Sequence, residues 1–98
     1  FLSTGYPVDG VFAHSDHAAV GALRALVAAG KRVPEDVRLI GFDDSVYAQL
    51  PTPQISTIRR FPERLAHEGC QALLALLRGE EPEMETLVPV KLVQRASS

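Results

Sequence analysis

The chain has a single cysteine, no long hydrophobic run and no excess of charge of one sign. Each shortage excludes something. Cys70 cannot close an internal disulfide, and its Ala/Leu surroundings read as those of a small buried hydrophobe rather than of a reactive thiol. The longest near-apolar run, residues 18–30, is broken by Arg24 and falls short of the ~20 residues that cross a bilayer. Ten basic against twelve acidic side chains leave a formal charge of −2, which argues against a nucleic-acid-binding surface within these residues. There is no repeat and no low-complexity linker. No secretory signal is visible, and a chain starting inside a longer protein would not show one.

Catalytic signatures are missing as well. G-x-S-x-G and G-x-G-x-x-G do not occur, and Gly30-Lys31 lacks the glycine five residues earlier that a P-loop needs, since Ala25 stands there. His14-Ser15-Asp16-His17 supplies triad residue types, but neighbours on one strand point to opposite faces and do not converge. No spacing rule makes His14, His17, Asp43 and Asp44 a metal site. The expectation is a binding domain without enzyme activity, cofactor or metal.

What is there suits an α/β protein. Ninety-eight residues at 46% apolar content can build a small core. Only about four strand-like segments are visible and the chain begins at Phe1 without Met, so it reads as a piece of something larger. Val11-Phe12-Ala13, bounded by Gly10 and a polar exit, reads as a buried strand that carries His14, which would be buried and hydrogen-bonded. Asp16 is positioned to cap a helix running to Ala29, with Gly30 as its stop and Lys31 and Arg32 at its negative end. A turn at Val33-Pro34-Glu35-Asp36 leads to a second strand, VRLIGF over residues 37–42. Helix then strand predicts a parallel sheet with crossover helices. Residues 45–54, with Pro51 and Pro53, read as a surface loop, and residues 55–60 as a short strand or crossing segment. Pro62 opens a helix whose Leu65, Gly69, Cys70, Ala72, Leu73, Leu76 and Leu77 recur as a core stripe before Gly79. An acidic connector, residues 80–85, precedes a last strand over residues 87–95, where Pro89 predicts an edge position.

The candidate chemistry gathers where strands end. Ligands of open α/β sheets bind beyond the carboxyl ends of the strands. The order of elements brings Ser15, Asp16 and His17 to the edge where Asp43 and Asp44 close the second strand. A carboxylate there can accept hydrogen bonds from two neighbouring sugar hydroxyls or from base N–H groups, or it can brace the following loop. Ser15 can donate or accept toward an oxygen-rich ligand, His17 can face the cleft or solvent, and Asp16 reads as the structural cap.

The string SDHAAVGALRALVAAGKRVPEDVRLIGFDD, followed by TPQISTIRR and LVPVKLVQR, resembles the C-terminal part of the lactose-repressor/galactose-repressor (LacI/GalR) family of bacterial transcription regulators, over roughly residues 9–98. The resemblance implies a type I periplasmic-binding-protein-like core, here partial. In it two α/β subdomains close on a small effector, a sugar or a purine-like base. It assigns residues 1–60 to the C-terminal subdomain, 61–84 to a crossover helix packed on the N-terminal subdomain, and 85–98 to a return strand and tail. An isolated piece would then leave apolar surface uncovered. By analogy with the family, Asp43 and Ser15 contact ligand; Arg60 stands at a further ligand position where relatives commonly carry Gln, and as an Arg it can instead bind a carboxylate or pair with Asp43. Ser15 stands where relatives often have Asn, and Phe61-Pro62 shifts the family's Pro by one position. The family's dimer packing points to Val20, Leu23 and Leu50 as homodimer contacts. The parent would be cytoplasmic, touching no membrane and reaching operator DNA only through a helix-turn-helix outside these residues. The rival readings are a periplasmic sugar-binding protein of a transporter and an enzyme on a doubly wound sheet.

Overall fold

A computed structural model describes residues 2–98, Leu2 by its backbone alone. After a 3-10 turn at Leu2–Thr4, the apolar run pairs as β1 (Gly10–Phe12). The strand is shorter than the sequence suggests. It stops before His14, which is exposed rather than buried.

Helix α1 (Asp16–Ala28) follows. Its N-cap is Ser15, not Asp16: Ser15 has an extended backbone and its Oγ accepts the Ala18 N–H at 3.1 Å. The reason is where the chain turns. Ser15 is the last extended residue, so its side chain folds over the first turn, whereas Asp16 is already helical and points inward. At the other end Gly30 adopts φ 73°, with Gly30 N–H on Val27 O at 2.9 Å and Lys31 N–H on Leu26 O at 3.0 Å. This paired closure needs a left-handed residue, which glycine supplies without strain.

The turn to β2 (Arg38–Asp43) is clamped by Arg32, whose guanidinium and amide both bind Asp36 and hold its carboxyl well below the usual range. Residues 45–54 are not all loop, because they contain the single-turn α2 (Val46–Gln49). Strand β3 (Ser56–Arg59) and edge strand β4 (Lys91–Val93) complete one sheet in the order β1-β2-β3-β4. Three strands are parallel and β4 runs antiparallel to β3, so the sheet is mixed rather than purely parallel. Pro89, with no N–H to give a ladder, lies outside the strand.

Helix α1 packs on β2, and the core is Leu23 and Leu26 of the helix against Leu39, Val37 and Ile55. The C-terminal Ser97 is fully buried. It exchanges hydrogen bonds with Leu39, receives one from Ser56 N and gives its own N–H to Gln54 O, and so fills the space where β2 and β3 begin.

The chain divides into two compact units, residues up to Arg59 with Lys91–Ser98, and Arg60–Val90. The second holds α3 (Pro62–Leu77), closed by Gly79 at φ 76° in the same way as α1. No residue of α3 is buried: Leu73, Leu76 and Leu77 of the expected core stripe are exposed, and so is Cys70. A helix alone in its unit has no surface against which to bury its apolar face. No helix of the described residues is long and apolar enough to cross a membrane.

Candidate functional site

Parallel pairing aligns the carboxyl ends of β1, β2 and β3 on one edge of the sheet, with Phe12 opposite Ile40 and Asp43 opposite Arg59. The chain leaves β2 through two left-handed residues, Asp43 (φ 114°) and Asp44 (φ 57°). Side chains other than glycine rarely adopt this backbone, and such residues persist where the surroundings impose them, often at ligand sites.

The surroundings are specific. The Asp44 carboxylate, 7% exposed, receives Arg95 at 2.6 Å and Arg59 at 2.5 Å. Burial raises its pKa, but the hydrogen bonds from Arg95 and then Arg59 outweigh that and leave it below the usual carboxylate range. Arg95 also donates to Ile55 O at 3.0 Å, joining the C-terminal return to the strand ends. Asp44 is therefore a brace. Asp43, one residue earlier, is half-buried at the same edge. Phe12 and Phe42, edge to face with centroids 6.5 Å apart, form an aromatic pair at the ends of β1 and β2.

Beneath the loop lies Asp16, fully buried. Its carboxylate accepts the Ser45 N–H at 2.6 Å, the Ser45 hydroxyl at 3.0 Å and the Thr57 hydroxyl. Gly41 makes room for it: a Cβ there would collide with the Asp16 carboxylate.

The remaining sequence candidates fall in three places. Ser15 is half-buried at the same edge, its oxygen engaged as the helix cap while its hydroxyl proton is available to donate. His17 is exposed and its ring lies 5.2 Å from that of Tyr47. Both line an open hollow of about 680 Å³ between α1 and the α2 loop, together with Val20, Leu23 and Leu50, so His17 groups with the dimer candidates. Leu23 is mostly committed to the core at 5% exposure, whereas Leu50 is 71% exposed. Arg60 is exposed and opens the second unit.

Sequence reasoning missed Thr57, Arg59 and Arg95 as neighbours of the aspartates, although all three lie in the quoted strings TPQISTIRR and LVPVKLVQR. Arg59 ends β3, Thr57 lies within it and Arg95 follows β4, so only the strand register brings the three to the aspartates. The triad residue types do not form a relay: Asp16 bonds to Ser45 and Thr57, and His14 is exposed. Among the described residues no three His, Cys, Asp or Glu side chains gather to hold a metal.

Three parallel strands deliver a constrained aspartate to the sheet edge at which open α/β folds take small ligands. The chain belongs to the family described as the periplasmic binding protein-like domain, whose sequence model matches residues 2–98. The resemblance to LacI-type regulators is borne out by its relatives. It is 40% identical over 87 residues, 89% of this chain and 26% of the relative, to the probable HTH-type transcriptional repressor ExuR of Bacillus subtilis. It is similar in structure to the transcriptional regulator CelR in complex with cellobiose (TM-score 0.85, 38% identity, 99% of this chain and 30% of that one). It also matches the Lac repressor dimer bound to operator and the anti-inducer ONPF (TM-score 0.87, 30% identity, 99% and 34%). The chain thus spans about a quarter of the ExuR relative's length.

Proposed function

We propose that this chain is the C-terminal part of the effector-sensing domain of a cytoplasmic LacI-type regulator. Its ligand is a small polyhydroxylated molecule, a sugar before a nucleobase, taken at the strand-end edge. Asp43 accepts hydrogen bonds from adjacent hydroxyls, and Ser15 donates one. Binding shifts the balance between two closure states, and a homodimer relays the shift to DNA-binding heads elsewhere in the parent protein. The ligands and partners of the relatives support this reading, since CelR is complexed with cellobiose and the Lac repressor dimer with operator. That these relatives are regulators favours it over a transporter's binding protein or an enzyme.

The observation that carries the proposal is the half-buried Asp43, held with left-handed backbone at the end of a strand flanked on both sides by parallel neighbours. The test is calorimetric titration of the full-length protein with a panel of mono- and disaccharides, cellobiose first, and with adenine and guanine. One saccharide is expected to bind, and Asp43→Ala is expected to weaken it by about 2–3 kcal/mol, roughly 30- to 150-fold. Undiminished binding by that variant removes Asp43 from the site.

A further inference from the structure

We infer that Asp16 is a positioning residue for the ligand loop: one buried carboxylate holds two successive backbone amides behind Asp43. This rests on the reading of Asp43 as a ligand contact and adds what sets its geometry.

The Ser45 N–H donates straight to Asp16 Oδ2 at 2.6 Å. The Asp44 N–H donates to Thr57 Oγ1 at 3.3 Å, and the Thr57 hydroxyl passes its own proton to Asp16 Oδ1. The two residues whose backbones are left-handed, Asp43 and Asp44, lie immediately before or within this pair of anchored amides. Left-handed backbone at a residue other than glycine relaxes unless its neighbours are pinned. Asp16 is fully buried and its hydrogen bonds among the described residues are all to Ser45 and Thr57, with no arginine or lysine. A buried charge is costly unless donors surround it, so the three donors and the positive end of α1, where Asp16 is the first residue, hold the carboxylate where it is. The arrangement makes Asp16 a hub joining three elements: the start of α1, the exit of β2 and the middle of β3. Gly41, without a side chain, leaves the space the hub occupies.

An asparagine at position 16 accepts through one oxygen only and carries no charge: with that oxygen left to Ser45, its N–H turns to Thr57 and reverses that hydrogen bond, so the charge-assisted anchoring of both amides is lost. A valine at position 57 keeps the shape and removes the relay, while serine keeps the hydroxyl.

The experiment uses the full-length protein and its Asp16→Asn, Thr57→Val, Thr57→Ser, Asp43→Ala and Ser97→Ala variants. Amide hydrogen exchange is read at Asp44 and Ser45 against Leu39 and Ile55, and affinity is measured for the saccharide of the panel that the unaltered protein binds. Asp16→Asn and Thr57→Val are expected to speed exchange at residues 44 and 45 selectively and to weaken saccharide binding by about tenfold or more, with Thr57→Ser restoring both. Ser97→Ala, which unties a buried hydroxyl at the start of the strands, is expected to lower stability without changing affinity. Uniform acceleration at all four amides, or none, overturns the inference, as does selective acceleration with affinity intact. Loss of binding in Asp43→Ala with full binding in Asp16→Asn and Thr57→Val sinks the positioning role alone. Full binding in Asp43→Ala sinks the assignment of the ligand contact instead. Should Asp16→Asn not fold, the Thr57 pair decides.

Discussion

Asp43 and Asp44 are adjacent carboxylates at the exit of β2, and Asp44 braces it. Asp44 is paired with Arg59 and Arg95, so its pKa is lowered despite burial. A group whose folded-state pKa is depressed contributes stability above its unfolded value and loses that contribution as pH falls through the folded one. Urea midpoints of the full-length protein are therefore expected to fall as pH drops below about 4. Asp44→Asn should be less stable at neutral pH, because it leaves the partly buried Arg95 without this counter-charge, and should show a shallower acid decline. An equally steep decline in the variant would assign the acid sensitivity elsewhere. The pairing itself was not legible in the sequence: Asp44 and Arg95 are 51 residues apart, and only the return of the chain along β4 brings them together. The exchange of roles between Ser15 and Asp16 has a similar origin. Both are good capping residues, and the choice depends on which one is last in extended conformation.

At the scale of the elements, the helix and strand pattern was readable because each signal is local. Gly30 and Gly79 close α1 and α3 with φ of 73° and 76°. Apolar periodicity and Pro62 marked the helices, and Pro89 marked an edge strand. The single-turn α2 was not readable, since four residues hold no periodicity. Gly41 lies at the meeting of α1 and β2, where an added Cβ would strike the Asp16 carboxylate and lie 3.3 Å from Ala19 Cβ. Gly41→Ala is expected to cost about 1–3 kcal/mol in chemical denaturation, the usual penalty of overpacking. A stability equal to that of the unaltered protein would mean that α1 can shift off the sheet at no cost.

At the scale of the whole molecule, two surfaces stand uncovered. One is the leucine face of α3, whose Leu73, Leu76 and Leu77 are each more than half exposed. A stripe read from periodicity says that a face is to be buried, but not by what. The other is the α1/α2 hollow, rimmed by Leu50 and the His17–Tyr47 pair. On the proposal that this face joins two copies, Leu50→Glu in the full-length protein is expected to raise the dimer dissociation constant about tenfold or more, because each copy loses a buried leucine. Sedimentation equilibrium checks it, and an unchanged dimer would move the interface off this face.

Local rules in the amino-acid sequence determined the order of helices and strands, their glycine stops, and the delivery of Asp43 to the carboxyl end of a strand. Those rules act over three or four residues, the reach of a helical turn or a cap. Which polar side chain caps, which is buried and which carboxylate is neutralised was decided only by tertiary structure. Hydrogen bonds and ion pairs at the sheet edge join residues 13 to 51 positions apart, from Asp44 with Thr57 to Asp44 with Arg95. Such partners meet only after strand register has aligned them.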